Sequence, residues 1–297
     1  MADKEDVRQR LDIVDFIGRW VVLKPAGHNF KGLCPFHKEK SPSFMVSPDR
    51  QMYKCFGCGE SGDIFTFYMK QEGVGFSEAL KDLAELAGVT LTNFQPSDEF
   101  NQKQNLINIH KLAVELYHYM LTKHPVGAKA LRYIKDRGVT SHQIKDFSLG
   151  YAPDSWHTLA DYLTKKKIKL QDGEAAGLLL NSNQRYYDRF RGRIMFPLTD
   201  HRGNPVGFSG RILPWLDDGK AGKYINSPET AIYHKSQLLF PLYQTKEAVR
   251  ESKNVVIVEG ELDVLASLRA GVKNIVAVKG SALTEEQVRL LNRFCDT

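Results

Sequence analysis

Two short stretches near the start of the chain, Cys34-Pro35-Phe36-His37 and Cys55-Phe56-Gly57-Cys58, decide the fold of its first part. Each holds two metal-ligand side chains separated by two residues, and 17 residues lie between the two stretches. Three thiolates and one imidazole at this spacing can surround one Zn²⁺ ion as a tetrahedron. The sequence therefore predicts a zinc ribbon. Its predicted ligands are Cys34, His37, Cys55 and Cys58.

The segment between the two stretches has the pattern of a β-hairpin. Ser43-Phe44-Met45-Val46 and Gln51-Met52-Tyr53-Lys54 are predicted strands, and the turn residues Ser47-Pro48-Asp49-Arg50 separate them. Because four protein ligands leave no open coordination position, we expect the zinc to be structural. Ordinary buried cysteines are the alternative, but the paired spacing favours a metal site.

The composition limits the class of protein. A chain of 297 residues has room for about two domains. Four cysteines, three of them in the metal signature, do not make a disulfide framework, and the start of the chain lacks the apolar core of a signal peptide. No run approaches the ~20 apolar residues that span a membrane, so we expect a soluble, cytoplasmic protein. The net charge of +6 favours a polyanionic partner such as nucleic acid.

The apolar periodicity divides the chain into segments. Helical patterns flank the ribbon and end where periodicity is lost around Pro96. Helices and then short strands follow, and a strand, a helix and a second strand come last. The predicted segments are a zinc-binding domain at 1–91, a linker at 92–104, a mixed α/β part at 105–253 and a βαβ unit at 254–297.

Capping residues predict where helices begin and end. One opening helix is expected over the apolar residues from Val7 to Ile17. Asp63 and Ser77 are expected to cap the two helices that follow the last ribbon cysteine, and Gly88 is expected to end the second.

Basic residues are interleaved with aromatic residues around a predicted hairpin at 193–198 and 205–209. Such a cluster can neutralise phosphates and stack the bases of a single strand. A solvated basic face over ordinary core aromatics would give the same pattern, so both interpretations stay open. The basic residues are Arg185, Arg189, Arg191, Arg193, Arg202, Arg211, Lys220, Lys223 and Lys235.

The last segment predicts a parallel, right-handed βαβ unit. The apolar run 255–258 precedes Glu259 and Gly260, a helical pattern follows, and 274–278 supplies a second buried strand. Glu259 then lies at the carboxyl end of a strand, where open α/β sheets place their chemistry, and Asp263 comes one helical turn later. The two carboxylates either share a Mg²⁺ site or simply favour the positive start of the helix.

Taken together, these motifs resemble bacterial replicative DNA primases of the DnaG type, over nearly the whole chain and in order. The ribbon with its flanks, 31–37 and 53–58, looks like their zinc-binding domain. The segment 188–197, with 210–211 and 223–230, is similar to the basic N-terminal part of their RNA polymerase domain. Val258-Glu259-Gly260 with Asp263, followed by 280–284, resembles the start of their Toprim fold. The implied fold class is α+β and multidomain, with a zinc ribbon, a mixed α/β primase core and the beginning of a Toprim fold.

The resemblance implies the synthesis of short RNA primers from ribonucleoside triphosphates on a single-stranded DNA template during DNA replication. It implies Glu259 as the catalytic glutamate, Asp263 as its acidic partner, Mg²⁺ or Mn²⁺ as catalytic metal, and a zinc domain that helps to choose the initiation sequence. It further implies a monomer at the bacterial replisome and a replicative helicase partner, bound through a C-terminal region absent here. The residues expected to contact template or nucleotide phosphates are Arg137, Arg191, Arg193, Arg211, Lys223 and Lys235.

The sequence departs from the family at its end. The family's later acidic motifs, including an Asp-x-Asp that holds metals, do not occur before Thr297, and Asp296 has no assigned role. We therefore expect a fragment with an incomplete metal site that makes little or no primer alone. The alternative function is a non-catalytic, zinc-dependent module that binds single-stranded DNA. Topoisomerases, nucleases and a phage-type primase fused to a helicase are further alternatives, although the ribbon and the segment 226–230 favour primases over other Toprim enzymes.

Overall fold

The computed structural model describes residues 2–92, 94–220, 222–278 and 282–295. Three residues of the predicted Toprim motifs and chain end, Gly280, Ser281 and Asp296, lie outside the described residues. The chain forms two compact units, Met1–Asn101 and Gln102–Thr297. Within the described ranges, no helix is both long and apolar enough to cross a membrane.

The first unit combines a five-stranded antiparallel sheet, whose strands lie side by side in chain order, with four helices. Its strands are β1 (Lys24–Ala26), β2 (Asn29–Gly32), β3 (Phe44–Ser47), β4 (Met52–Cys55) and β5 (Ser61–Gly62). Its helices are α1 (Ala2–Arg10), α2 (Ile13–Ile17), α3 (Ile64–Glu72) and α4 (Phe76–Ala87).

Strands β3 and β4 confirm the predicted ribbon hairpin. Phe44 pairs with Cys55, and Val46 pairs with Tyr53. All four are buried, and the Phe67 ring of α3 lies 5.6 Å from the Tyr53 ring, edge to face. The metal-binding end of β4 is therefore built on the apolar core of the unit.

The beginning of the first unit differs from its prediction. The expected single helix is two helices, α1 and α2, because Asp12 caps a new helix between them. Its carboxylate accepts hydrogen bonds from the amides of Val14 at 2.8 Å and Asp15 at 3.0 Å. A local side-chain bond of this kind competes with helix continuation, although the apolar spacing suits one long helix.

Of the two predicted caps after the ribbon, one is confirmed and one is wrong. Asp63 caps α3 and accepts the Thr66 amide at 3.0 Å. Ser77 lies inside α4, which begins at Phe76 after Gly75, so the helix starts two residues earlier than predicted. The Phe76 ring packs 5.8 Å from the Phe65 ring, a tertiary contact that the capping pattern does not report.

The second unit contains a four-stranded antiparallel sheet, a separate hairpin and a parallel strand pair. Its strands are β6 (Gly150–Ala152), β7 (Leu179–Ser182), β8 (Arg185–Asp188), β9 (Arg193–Thr199), β10 (Pro205–Ile212), β11 (Tyr224–Asn226), β12 (Val256–Val258) and β13 (Ile275–Ala277). The four-stranded sheet has the order β11-β10-β9-β6, β7 and β8 form the hairpin, and β12 and β13 form the parallel pair. Its helices are α6 (Ala128–Asp136), α7 (Ser141–Asp146), α8 (Thr158–Lys165), α9 (Leu170–Ala175), α10 (Leu242–Ser252), α11 (Glu261–Arg269) and α12 (Glu285–Leu291), and α5 (Asp98–Thr122) precedes them.

The polar segment predicted as a linker contains the start of α5. The Ser97 hydroxyl accepts the Phe100 amide at 3.2 Å, and two acidic residues, Asp98 and Glu99, open the helix. Acidic side chains favour the first turn of a helix, so this polar sequence is also a helix start. Residues 98–104 of the predicted linker are helical.

Two predictions for the second unit are confirmed. β9 and β10 form the expected hairpin, and nearly all of their residues are buried. β12, α11 and β13 form the expected βαβ unit, in which Val256 pairs in parallel with Ile275. The carboxyl end of β12 therefore leads directly into the start of α11. β13 is buried as predicted, but β12 is not, since Val256 is 42% and Ile257 40% exposed.

A histidine in the core of the second unit makes its stability depend on pH. His110 on α5 is fully buried, its Nδ1 donates to the Leu106 carbonyl oxygen at 2.9 Å, and its Nε2 has no partner among the described residues. Burial lowers the pKa of His110 from 6.5 to about 4, because an apolar environment disfavours the charged ring. Below pH 6.5 the unfolded chain takes up a proton that the folded chain does not, so stability falls as the pH drops toward 4.

We expect His110→Leu to flatten this pH dependence. Between pH 7 and pH 5, the wild-type second unit should lose about 2 kcal/mol more of its free energy of unfolding than the variant loses. Urea unfolding followed by Trp156 and Trp215 fluorescence, in a Trp20→Phe background, measures this difference. The exposed His142 provides the control, His142→Gln. Equal pH slopes for wild type and His110→Leu would contradict the expectation.

Candidate functional site

The four predicted zinc ligands converge. One ligand atom from each of Cys34, His37, Cys55 and Cys58 lies within 4.8 Å of all the others. The sulfur atoms of Cys34 and Cys58 are 3.8 Å apart, and His37 Nδ1 is 3.8 Å from the Cys55 sulfur. A tetrahedron of ~2.3 Å bonds has edges of about 3.8 Å, so the donor set fits Zn²⁺. In the part of the chain that the structure describes, this is the only group of three or more His, Cys, Asp or Glu side chains placed to hold a metal.

Backbone geometry around the quartet suits thiolate ligands. The Phe36 amide donates to the Cys34 sulfur at 3.4 Å, and the Gly57 amide donates to the Cys55 sulfur at 3.4 Å. A Cβ at Gly57 would come 2.6 Å from His37 Nε2. The loop therefore passes so close to the imidazole that only glycine fits at this position. These contacts hold the ligand side chains in place from both ends of the site.

The two buried ligand thiols differ in acidity. Burial raises the pKa of Cys34 to about 12. Burial also acts to raise the pKa of Cys55, but hydrogen bonds from the Ser43 hydroxyl and from the Cys58 and Gly57 amides outweigh it and lower the value to about 6. Cys55 thus reaches the metal-binding thiolate form more easily than Cys34, which needs a nearby cation to offset its burial.

One face of the ribbon sheet presents a row of basic side chains to solvent. Direct cross-strand partners share a face of a sheet, and the pairing register puts five residues, one from each strand, in a single row. We call Lys24, Lys31, Met45, Lys54 and Ser61 the lysine row. Beside it, Phe56 is 70% exposed, and Lys54 Nζ lies 5.3 Å from the centre of its ring. This surface is not evident from the amino-acid sequence, because only the strand register shows that its lysines share a face.

The predicted catalytic carboxylates lie where β12 meets α11. Glu259 directly follows the strand, and Asp263 lies in the first turn of the helix. Both are exposed, whereas Glu261 between them is 4% exposed. A Cβ built on Gly260 would lie 3.0 Å from Asp263 Oδ2, so the Asp263 carboxylate turns back toward the strand end. The arrangement offers two accessible carboxylates at one end of the βαβ unit.

Three of the six predicted phosphate contacts line one cavity. Arg137, Arg211 and Lys223 surround a cavity of about 510 Å³, which Tyr133 and Asp217 also line. We call it the basic pocket. Its three cations outnumber its single carboxylate, so it favours an anionic ligand.

Arg211 is the buried member of the basic pocket. It is 7% exposed, and its guanidinium donates to the hydroxyls of Tyr133 at 3.1 Å and Tyr224 at 2.6 Å. Tyrosine hydroxyls position a guanidinium without neutralising it, so the charge of Arg211 stays available to an anion.

The structure places the other three predicted contacts differently. Arg193 is 3% exposed and donates to the Gly210 and Gly222 carbonyl oxygens at 3.0 Å each, so it braces the backbone beside Lys223 and does not face solvent. The Arg191 guanidinium lies 3.8 Å from the centre of the Trp156 ring, and Arg191 is not among the residues that line the basic pocket. The sequence pattern cannot separate such buried basic residues from exposed ones.

The loop that carries Lys235 is tied to α12. Gln287 is 2% exposed and donates to the Leu238 carbonyl oxygen at 2.8 Å, and the Thr284 hydroxyl donates to the Ser236 carbonyl oxygen. Thr284 and Gln287 also form the capping box of α12. One pair of side chains therefore starts the helix and holds the exposed Lys235 loop against it.

Three family profiles match successive parts of the chain. They are the CHC2 zinc finger at residues 2–99, the N-terminal domain of the DNA primase catalytic core at residues 116–246 and the Toprim domain at residues 253–296. The solved structure of the zinc-binding and RNA polymerase domains of the Aquifex aeolicus primase aligns with 99% of this chain and 70% of its own, with 35% identity and a TM-score of 0.61. The chain belongs to the DnaG-type DNA primase family. This confirms the resemblance and the predicted fold class.

Curated members of the DnaG-type family show the same similarity along the chain. The DNA primases of Halalkalibacterium halodurans and Geobacillus stearothermophilus are each 43% identical to it, over 99% of this chain and 49% of their own length. The chain thus spans about half the length of the curated relatives it matches. A solved DnaG primase catalytic domain bound to single-stranded DNA is 35% identical, with a TM-score of 0.59 over 66% of this chain and 60% of that one.

Proposed function

We propose that this primase-family chain serves DNA-directed synthesis of short RNA primers from ribonucleoside triphosphates on single-stranded DNA. The observation that carries the proposal is the alignment of 99% of the chain with a solved primase made of zinc-binding and RNA polymerase domains. The site geometry supports it with a zinc-type quartet, a basic pocket and two exposed carboxylates. A replicative helicase as partner and the bacterial cytoplasm as location belong to the same proposal, on the strength of family membership.

Structural Zn²⁺ is proposed at the quartet of Cys34, His37, Cys55 and Cys58. The support is the distance between donor atoms, 3.8 Å for both measured pairs, and the match of this part of the chain to the CHC2 zinc finger. Three protein thiolates and one imidazole fill all four tetrahedral positions, so the metal would cross-link the fold and take no part in the reaction.

The nucleotidyl-transfer site is proposed around Glu259 and Asp263. Carboxylates are the protein ligands that Mg²⁺ prefers, and Mg²⁺ or Mn²⁺, when bound, would supply Lewis-acid neutralisation of the reacting phosphate. Glu259 and Asp263 would hold such an ion from the strand end and the first helical turn. Their exposure leaves room for a triphosphate and a primer end.

The basic pocket is proposed to receive phosphates of the nucleotide or the template. Its volume of about 510 Å³ is in the range of small-molecule sites, and Arg137, Arg211 and Lys223 reach it from different elements. Arg211, held by two tyrosine hydroxyls, would orient the bound phosphate. The exposed Lys223 would attract the negatively charged ligand from a distance. Lys235 and Arg191 would then contact nucleic acid outside this cavity, and Arg193 would act by bracing the Lys223 segment.

The lysine row with Phe56 is proposed as a template-binding surface of the zinc unit. Three lysines on one sheet face can follow a phosphate backbone, and an exposed aromatic ring can stack a base. The ribbon would thus contact single-stranded DNA without reading the edges of paired bases.

Binding of fluorescein-labelled single-stranded DNA tests this surface, measured by anisotropy over a range of salt concentrations. We expect Lys54→Ala to reduce the slope of log K against log salt by ~0.7, the value for one phosphate contact on a single strand. We expect Phe56→Ala to weaken binding by about 1–3 kcal/mol while the salt slope stays unchanged. Lys81→Ala, on the exposed side of α4, is the control and should change neither quantity. Unchanged affinity and slope in both test variants would contradict the template surface.

A further inference from the structure

A carboxylate outside the predicted ligand set, that of Glu39, lies against the metal quartet. Glu39 Oε2 is 3.3 Å from His37 Nε2, on the ring nitrogen that does not face the cysteines. Because His37 Nδ1 points at the Cys55 sulfur, a metal held by the quartet would bind Nδ1, and the ring proton would then lie on Nε2 and be donated to Glu39. This contact fixes both the tautomer and the plane of the imidazole.

The same carboxylate also holds the backbone of a second ligand. Glu39 Oε1 accepts the Cys34 amide at 2.7 Å and the Ser43 amide at 3.1 Å. The chain between the first ligand pair and β3 is therefore wrapped around one side chain. The side chain of Glu39 is only 10% exposed, so water does not replace these bonds.

Ser43 extends the contact to a third ligand. Its hydroxyl bonds Glu39 Oε2 and lies 3.2 Å from the Cys55 sulfur. A hydroxyl has one proton, so the Glu39 carboxylate and the Cys55 sulfur compete for the hydrogen bond of Ser43, and Glu39 thereby affects the bond that the thiolate receives. Glu39 thus reaches Cys34 through its amide, His37 through its ring and Cys55 through Ser43.

We propose that Glu39 is the positioning residue of the zinc site: it orients three of the four ligands for the metal and keeps His37 in the tautomer that binds through Nδ1. This rests on the zinc assignment proposed above. Outer-sphere partners of this kind change metal affinity by about 10- to 100-fold when they are removed.

Glu39→Gln tests the proposal, since glutamine keeps the shape and loses both the charge and the acceptor that faces His37. Measured by chelator competition on the full chain, its zinc affinity should fall by about 10- to 100-fold at unchanged 1:1 stoichiometry. The visible ligand-field bands of the Co²⁺-substituted protein should shift at saturation. Ser43→Ala, which spares the His37 contact, should lose less affinity. The control Glu85→Gln removes an exposed carboxylate from α4 and should match wild type.

Three results would overturn the proposal. Wild-type zinc affinity in Glu39→Gln would rule out a role for the carboxylate. Weakened affinity with an unchanged Co²⁺ spectrum would show that Glu39 only stabilises the fold. If the wild-type chain itself does not bind one zinc ion, the zinc assignment fails together with the role of Glu39. The wild-type measurement therefore distinguishes failure of the zinc assignment from failure of the Glu39 proposal alone.

Discussion

Removal of zinc is expected to unfold the first unit and leave the second folded. Cys34 and Cys55 are buried in the same apolar cluster as Phe44 and Tyr53, so loss of the metal leaves two thiols and their strands without the link that orders them. Structural zinc contributes roughly 10 kcal/mol or more in zinc-finger peptides, and a domain of this size has a total stability of roughly 5–15 kcal/mol. The expected effect therefore equals or exceeds the stability of the unit.

Hydrogen exchange read by mass spectrometry measures this result unit by unit. After treatment with a chelator, or in Cys58→Ser, amides of β3 and β4 should exchange at the rates of an unfolded chain, whereas β9 and β10 should keep their protection. The control is Cys295→Ser, because this buried cysteine belongs to the second unit and lies outside the quartet. Retained protection of β3 and β4 in protein shown to be free of metal would contradict a structural role for zinc.

The second large effect is expected at Glu259. Because the chain spans about half of its relatives, catalysis is best measured in a chimaera in which residues 1–297 replace the matching part of the Geobacillus stearothermophilus DNA primase. In this chimaera, Glu259→Gln should lower the rate of primer synthesis by about 100-fold or more, the scale expected when one electrostatic stabiliser of a transition state is removed. The amide keeps the size of the carboxylate but cannot neutralise a cation.

Two comparisons separate chemistry from folding and binding in the chimaera. Glu251→Gln removes an exposed carboxylate near the end of α10 and should leave the rate unchanged. The affinity of Glu259→Gln for single-stranded DNA should equal that of wild type, because the proposed template contacts are basic residues elsewhere. A Glu259→Gln chimaera with normal primer synthesis would show that this carboxylate is not part of the catalytic site.

Local spacing carried most of the correct predictions. The ligand quartet, the ribbon hairpin and the strand, turn and helix around Glu259 are each set by residues close together in sequence. Their periodicity and paired spacing follow from backbone geometry and coordination chemistry, which need no knowledge of the rest of the fold. The Asp63 cap succeeded for the same reason.

Predictions failed or were missing where the outcome depends on tertiary contacts. Arg193 was predicted to contact phosphate because it is a basic residue in a basic and aromatic cluster. In the structure, its guanidinium is bonded to the backbone of β10 and of the segment before β11. The lysine row forms only through the register of five strands. Glu39 contacts the ligand residues only because the chain between Cys34 and Ser43 folds around its carboxylate. Ser77 lost its capping role because Phe76 packs on Phe65 and extends the helix. Each case needs long-range packing that a single sequence does not display.

Primer synthesis by the unmutated chimaera is the most direct test of the central claim, that this chain works as the zinc-binding and early polymerase part of a DNA primase. The measurement is the amount and length of RNA made from labelled ribonucleoside triphosphates on a single-stranded template, beside the unaltered Geobacillus stearothermophilus enzyme. We expect template-dependent primers that disappear when the template is omitted. A folded, zinc-loaded chimaera that binds the template yet makes no RNA would contradict it, and would favour a DNA-binding module without chemistry.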